Sequence, residues 1–398
     1  MYRALTEAEV VEYARALPGL FTGAVPLLSR EIGDGNLNMV FQVSEDGGEG
    51  RSVIIKQALP YIRVIGESWP MTLDRARIEC EVLQIENEYD PGRVPQVYHY
   101  DTDLALFIME DLSEYMIMRR ALISRQQFPN FPRHIGRFLA RTLFLSSDYA
   151  LESGVKKKLV GRYINPELCK LTEDVIFTDP YCDSTRNNYH ALIEEEALSL
   201  RHDEELKLEV AKLKVQFLTQ AQSLVHGDLH TGSIMVTDTD TRVIDPEFAF
   251  YGPMGFDIGA VIGNLLLNHA AHIGHTREPL QRAEYQQYLL ETIRGIWNCF
   301  EEEFRALWKT RNLEPSVNMD GYLDYLLISI LQDTAGFAGC KMIRRVVGIA
   351  HVTDLDSIEN EQLRADAEKL AIANARKLII TRAQILTIND LVGMIINS

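Results

Sequence analysis

Leu224-Val-His-Gly-Asp-Leu-His-Thr-Gly-Ser-Ile234 and, shortly after it, Val243-Ile-Asp-Pro-Glu247 are the stretches whose reading decides the fold. The first packs turn-forming and polar residues between a long helix candidate at 204–224, started by Asp203, and a short apolar strand at 234–237. Polar side chains concentrated there lie on a loop fixed between elements, where catalytic groups are commonly held. The turn Asp238-Thr-Asp240 then leads into a second strand at 242–244. Two carboxylates, Asp245 and Glu247, follow it at i and i+2. They project to one side if the backbone stays extended, as Pro246 favours for its predecessor. Magnesium accepts one or two carboxylates together with substrate phosphates, and this pair can provide them. Phosphoryl transfer to an alcohol also needs a carboxylate that orients the hydroxyl and accepts its proton, and Asp228 is the candidate. His226 reads as a brace for the loop rather than a metal ligand. H-x-D alone is a weak signal; joined to D-x-E behind a hairpin it specifies a phosphoryl-transfer site.

Working outward, residues 6–17 read as a short helix and 37–43 as a strand behind Gly33-Asp-Gly-Asn36. A strand at 52–58 follows, with Ser44-Glu-Asp-Gly-Gly-Glu-Gly50 supplying the hairpin turn. Residues 70–88 carry Leu73, Ala76, Ile78, Val82, Leu83 and Ile85 at close to a helical period. Strand candidates at 94–98 and 104–109 come next. Past Asp111 the pattern turns helical, at 131–147 with Pro132 near its start and over most of 257–398. The expectation is an α+β, bilobal chain: a mostly β N-terminal lobe over 1–112 and a mostly helical C-terminal lobe over 113–398.

The bulk numbers agree with two lobes. A chain of 398 residues exceeds what one hydrophobic core usually serves, and 46% hydrophobic with 24% charged residues is ordinary for a globular protein. Lys plus Arg total 40 against 57 Asp plus Glu, a formal charge of −17 that repels phosphate backbones, so no nucleic-acid partner is expected. The densest basic stretch, Lys156-Lys157-Lys158, reads as a solvated face. Cys80, Cys169, Cys182, Cys299 and Cys340 are scattered, odd in number and never spaced as C-x-x-C, which suits a reducing cytoplasm. The opening Thr6-Glu7-Ala8-Glu9 does not resemble a signal peptide. The longest uninterrupted apolar runs, such as 104–109, are too short to span a bilayer, so no membrane partner is expected.

Several segments together resemble the bacterial methylthioribose kinase family, itself similar to the choline kinase and aminoglycoside phosphotransferase group with its protein-kinase-like fold. They are Glu31-Ile-Gly-Asp-Gly-Asn-Leu-Asn-Met-Val-Phe41, Ile55-Lys-Gln-Ala58, Gly66-Glu-Ser-Trp-Pro70, Met109-Glu-Asp-Leu112, the loop from His226 to Ser233, Asp245-Pro-Glu-Phe-Ala-Phe-Tyr-Gly-Pro253 and Gly336-Phe-Ala-Gly-Cys-Lys-Met-Ile-Arg-Arg345. The resemblance spans nearly the whole chain. It implies ATP and Mg²⁺ as cofactors, a small sugar as substrate and a homodimer. In the wider group the position of Ser233 usually holds an Asn that helps bind a second metal ion; a hydroxyl is the weaker ligand, so Ser233 is a further candidate metal ligand and the metal count stays open.

The same resemblance assigns the nucleotide end to Gly33, Gly35, Asn38, Lys56, the interlobe residues Glu110, Asp111 and Leu112, and the Asp245-Pro246-Glu247 run. The glycine loop departs from G-x-G-x-x-G and by itself reads as a hairpin turn. Lys56 sits in an apolar strand run, where burial is costly unless the amine is paired; Glu79 on the 70–88 helix is the candidate partner. An edge-strand lysine facing solvent is the bland alternative. Asp257 reads as a helix cap that also accepts a hydrogen bond from the catalytic loop. His269, His272 and His275 lack a metal-site spacing and read as surface or packing residues. At the sugar end the resemblance implies Asp228, Trp69, Arg344 and Arg345; adjacent helix positions project about 100° apart, so at most one of the two arginines points squarely at the substrate. The expected reaction is ATP-dependent phosphorylation of the anomeric hydroxyl of 5-methylthioribose in methionine salvage. The alternatives are a kinase of another small alcohol, of the choline or homoserine type, and a nucleotide-binding scaffold without turnover.

Overall fold

The computed structural model describes residues 2–21, 25–32, 37–47, 50–62 and 66–395, with the backbone alone at 62 and 66–70. The chain divides into two compact units. The first is Met1–Tyr115 with Ile244–Phe248, and the second is Met116–Val243 with Ala249–Ser398.

The first unit opens with α1 (Glu7–Ala16), whose start is a capping box: the Thr6 hydroxyl accepts from the Glu9 N–H, and the Glu9 carboxylate accepts from the Thr6 N–H. Strands β1 (Leu27–Glu31), β2 (Asn38–Glu45) and β3 (Ser52–Ala58) follow, then the small antiparallel pair β4 (Tyr61–Ile62) and β5 (Gly66–Pro70). Helix α2 (Asp74–Tyr89) leads to β6 (Val97–Asp101) and β7 (Leu106–Glu110). The five-stranded sheet has the order β1-β2-β3-β7-β6, antiparallel throughout. Strand side chains alternate between faces. Phe41, Val43, Val53, Ile55, Leu106 and Ile108 therefore share one face and pack with Val10 and Ala14 of α1. The same alternation sends Lys56 to the opposite face, where it meets α2.

Three expectations shift here. Strand β1, unread in the sequence, is a half-exposed edge with little apolar alternation. Helix α2 starts at Asp74 rather than at 70, because Pro70 ends β5. Strand β6 begins at Val97 rather than 94, since Pro95 has no N–H for the ladder.

The second unit begins with β8 (Met116–Ile117), α3 (Met118–Ile123), α4 (Phe131–Leu145), α5 (Ser153–Arg162), α6 (Pro166–Phe177), α7 (Glu194–His202) and α8 (Glu204–Thr219). Asp203 caps α8 by accepting from the Leu206 N–H, as its sequence suggests. The helix ends at Thr219, short of 224, because Leu224 belongs to β9 (Ser223–Val225). Next come β10 (Ile234–Val236) and β11 (Thr241–Val243), a hairpin with Ile234 opposite Val243, and β12 (Phe250–Gly252), which pairs with β9. The remaining helices are α9 (Gly255–His275), α10 (Pro279–Arg311), α11 (Tyr322–Val347), α12 (Thr353–Asp356), α13 (Glu361–Thr381) and α14 (Ile388–Gly393).

Helix α9 is buried on every side from Gly255 to His272 and packs against α11 and α13. Its glycines make the close approach to α11 possible. A Cβ at Gly259 would fall 2.8 Å from the Thr334 carbonyl oxygen, and one at Gly263 would fall 2.8 Å from that of Ala338. At 26 residues α11 is long and apolar enough to cross a membrane even though polar residues interrupt its apolar runs; its apolar side chains are taken up by this core. His272 belongs to the packing too, with Nδ1 at 2.9 Å from the Thr276 hydroxyl and Nε2 at 3.2 Å from the Leu122 carbonyl. His275 Nε2 lies 2.7 Å from the carbonyl of Asp354.

Candidate active site

Two polar clusters, one in each unit, collect most of the residues singled out by sequence. In the first unit the buried Lys56 ammonium donates to Glu79 Oε1 at 2.7 Å and also to the Asp245 carboxylate. Asp245 does not have the extended backbone expected before a proline. Its φ is +73°, in the left-handed region that costs a non-glycine residue about 1 kcal/mol and that Asp tolerates better than most. The resulting turn still delivers both carboxylates to one place: ligand oxygens of Glu79, Asp245 and Glu247 all lie within 4.8 Å of one another.

Glu247 is buried beside Pro246 and accepts from Asn38 Nδ2 at 3.0 Å and from Arg75 Nε at 3.1 Å. Arg75, fully buried, also donates to the carbonyls of Leu59 and Thr72 at 2.8 Å each, to that of Leu37, and to Asn38 Oδ1 at 3.2 Å. Burial, with the negative charge of Asp245, raises the Glu247 carboxyl above its ordinary range. Burial likewise raises Glu79, against the pull of Lys56. Burial works against the Lys56 ammonium, but the surrounding carboxylates outweigh it and hold the amine charged. Three carboxyl groups converge here beside one lysine and one arginine, and their oxygens are the hard donors that a magnesium ion takes. The donor set fits the metal that the sequence suggests.

Glu110 ends β7 and accepts from the Gln96 N–H at 3.0 Å. The Asp111 carboxylate accepts from Gln42 and from Ser52, each at 2.6 Å, and from Ser113. These bonds outweigh burial and lower its pKa. Leu112 is buried, and its carbonyl accepts from the Tyr115 N–H at 2.8 Å. Gly33 and Gly35 lie outside the described residues, as does the side chain of Trp69, whose backbone belongs to β5.

In the second unit the loop after β9 is anchored from α9. Asp257 accepts from the N–H of His226 at 2.6 Å and of Gly227 at 3.0 Å. Gly227, at φ +86°, makes the left-handed turn that a side chain would oppose. Asp257 braces the loop as expected but does not cap its helix; Met254 holds the cap position. His226 is buried, and its Nδ1 accepts from the Asp228 N–H at 3.3 Å.

Asp228 is ringed by basic side chains. Lys341 Nζ lies 3.1 Å from Oδ1, while Arg345 Nη2 lies 4.0 Å and His230 Nε2 3.4 Å from Oδ2. Burial alone would raise the Asp228 pKa, but Lys341, His230, Arg345 and Arg344 together hold it well below the usual carboxylate range. His230 Nδ1 accepts from the N–H groups of Gly232 at 3.0 Å and Ser233 at 3.1 Å, so the ring proton sits on Nε2, toward Asp228. Burial keeps that imidazole neutral. The Ser233 hydroxyl donates to the Asp228 carbonyl at 3.2 Å and so ties the loop to itself.

Arg344 and Arg345 turn inward rather than to solvent. Arg345 Nη1 donates to the Ala350 carbonyl at 3.2 Å, whereas Nε and Nη1 of Arg344 are buried with no hydrogen-bond partner among the described residues.

Sequence reasoning passed over Arg75, Arg119, His230 and Lys341. Arg119 in α3 pairs through Nε with Asp354 at 3.1 Å, and its N–H donates to the Thr231 carbonyl at 3.1 Å. The helical period could have found two of the four. Arg75, Ile78, Glu79 and Val82 form one buried stripe of α2, and Lys341, Arg344 and Arg345 share a face of α11 at i, i+3 and i+4.

Comparison with known proteins gives the family. Residues 29–302 match the phosphotransferase enzyme family (APH). A methylthioribose kinase of Geobacillus thermodenitrificans (strain NG80-2) is 47% identical over 96% of this chain and 94% of its own length. One of Yersinia pseudotuberculosis serotype IB (strain PB1/+) is 43% identical over 99% and 96% respectively. Among solved structures, choline kinase from Cryptosporidium parvum Iowa II is similar at a TM-score of 0.49 and 12% identity, covering 97% of this chain and 99% of that one. By its near-full-length identity to these relatives, the chain belongs to the phosphotransferase enzyme family and, within it, to the methylthioribose kinases.

Proposed function

We propose that this chain transfers the terminal phosphoryl group of ATP to the anomeric hydroxyl of 5-methylthioribose, giving the 1-phosphate used in methionine salvage. The observation that carries the substrate is the 47% identity with a methylthioribose kinase over 96% of the chain. The chemistry is supported by an anionic Asp228 on a braced loop and by the carboxylate cluster around Lys56.

In this reading Asp228 accepts the hydrogen bond of the sugar hydroxyl and takes its proton as the oxygen attacks phosphorus. Arg344 and Arg345 hold the sugar and the equatorial phosphoryl oxygens, and Trp69 offers an apolar surface to the methylthio end. Lys56 meets the nucleotide phosphates. Asn38, Gly33 and Gly35 line them, and the backbone of Glu110 to Leu112 receives the adenine. Asp245 and Glu247 would hold Mg²⁺, with Ser233 a further candidate ligand; bound there, the ion would neutralise charge on the phosphate oxygens. The reading extends to a homodimer, on the family resemblance, and to a reducing cytoplasm, in keeping with five free thiols.

ADP release measured with 5-methylthioribose, choline and homoserine in turn, followed by phosphorus NMR of the product, tests the proposal. Turnover with the thiosugar and an anomeric phosphate resonance are expected. Faster turnover with either other alcohol, or nucleotide binding without turnover on any of them, would overturn it.

A further inference from the structure

Among the described residues of α11, Lys341 is the cation within hydrogen-bond distance of Asp228, at 3.1 Å, whereas Arg345 stops at 4.0 Å. The amine is fixed from several directions. Its Nζ lies 3.3 Å from the Gly227 carbonyl oxygen and 4.3 Å from the centroid of the Phe256 ring. That ring is itself wedged among Phe177, Phe217 and Phe337, with centroids 6.4, 5.1 and 5.3 Å away. A lysine from a helix more than a hundred residues downstream is thus built into the loop that carries Asp228.

The terminal torsion of an aspartate is broad and roughly two-fold, so a loop carboxylate left to itself rotates. A general base has to present one lone pair to its hydroxyl in a fixed direction. With Oδ1 occupied by Lys341 and the loop backbone just before it held by Asp257, the Asp228 carboxylate has one orientation; Oδ2, which has His230 Nε2 at 3.4 Å and Arg345 Nη2 at 4.0 Å, keeps a lone pair to accept from a hydroxyl. We propose that Lys341 is the positioning residue for Asp228: its ammonium fixes the rotation of the carboxylate so that Oδ2 meets the sugar hydroxyl. The inference rests on the reading of Asp228 as the hydroxyl-orienting base. Arg344 and Arg345, one turn further along the same face, remain for the substrate itself.

A double-mutant cycle separates this role from a merely structural one. Lys341→Met is expected to lower kcat about 10- to 100-fold with little change in KM for ATP, because orientation of the base is lost while nucleotide binding is not. Lys341→Arg should recover part of the loss. In an Asp228→Asn background, itself slowed by about 10² or more, Lys341→Met should cost less than about twofold, since the group it orients no longer acts as a base. Circular dichroism and Tm establish that each variant is folded; if Lys341→Met is not, Lys341→Gln and Lys341→Arg carry the same cycle. Equal losses in both backgrounds, or a folded Lys341→Met or Lys341→Gln with undiminished kcat, would overturn the positioning role while leaving the base in place. Wild-type turnover by Asp228→Asn would overturn the base and the positioning role together.

Discussion

Arg75 Nε donates to Glu247 Oε2 at 3.1 Å from a side chain that is wholly buried, and the same guanidinium holds Asn38 Oδ1 at 3.2 Å. One fork therefore links a candidate metal ligand to the strand end that follows the glycine loop. Partners that orient metal ligands typically contribute 10- to 100-fold to metal affinity.

Arg75→Lys keeps a cation but loses the fork that reaches five acceptors. It is expected to raise the Mg²⁺ concentration for half-maximal ATP binding by about tenfold. Calorimetric titration of ATP at graded Mg²⁺ measures this. An unchanged magnesium requirement in the folded variant would make Arg75 a support of the lobe alone.

Asp245→Asn removes the charge of a candidate ligand and a partner of Lys56. ATP affinity should then lose most of its dependence on Mg²⁺, with turnover falling by roughly tenfold or more. Comparing ATP affinity with and without Mg²⁺ decides the matter: full retention of the magnesium effect would remove Asp245 from the metal site.

Arg344→Ala and Arg345→Ala should each reduce kcat/KM for 5-methylthioribose by about 10- to 100-fold, the loss of a hydrogen bond to a charged or transferring group, with ATP affinity preserved. Because Arg345 lies nearer Asp228, its variant should also lower kcat. Lysine at either position restores charge but not the planar fork. Steady-state kinetics with sugar varied at saturating Mg-ATP checks this, and full kcat/KM in both alanine variants would sink the sugar-site assignment.

His272 offers a test of pH and stability. Burial, with the neighbouring His275, pulls its pKa from 6.5 down to about 3 in the folded protein. Between those values the unfolded chain binds the proton and the folded one does not, so stability contributed by neutral His272 is present above about pH 6.5 and is lost as pH falls toward 3. His272→Gln should therefore be destabilised at pH 7, and its Tm deficit relative to wild type should shrink as pH is lowered to 4. A deficit that is constant or grows over that interval contradicts the assignment.

The candidate site residues were legible in one dimension because short-range grammar writes them there. Asp228 sits in a turn between a helix and a strand, Asp245 and Glu247 follow a hairpin, and Lys56 interrupts an apolar strand at a position whose burial demands a carboxylate. The structure supplies that carboxylate as Glu79, at 2.7 Å. The same local grammar failed where packing overrides it. Asp245 takes a left-handed φ against the preference that Pro246 imposes, because the carboxylate is held by Lys56. Leu224 leaves a plausible helix for a strand because β12 is there to pair with it. Only the tertiary structure could bring Lys341 to Asp228 and Arg75 to Glu247, pairs separated by 113 and 172 residues. Helical period shows that those cations lie on buried faces, but which carboxylate each one neutralises depends on packing within its own unit: α11 against the loop after β9 in the second, α2 against the turn at 245–247 in the first. No periodicity along the chain encodes a partner that distant.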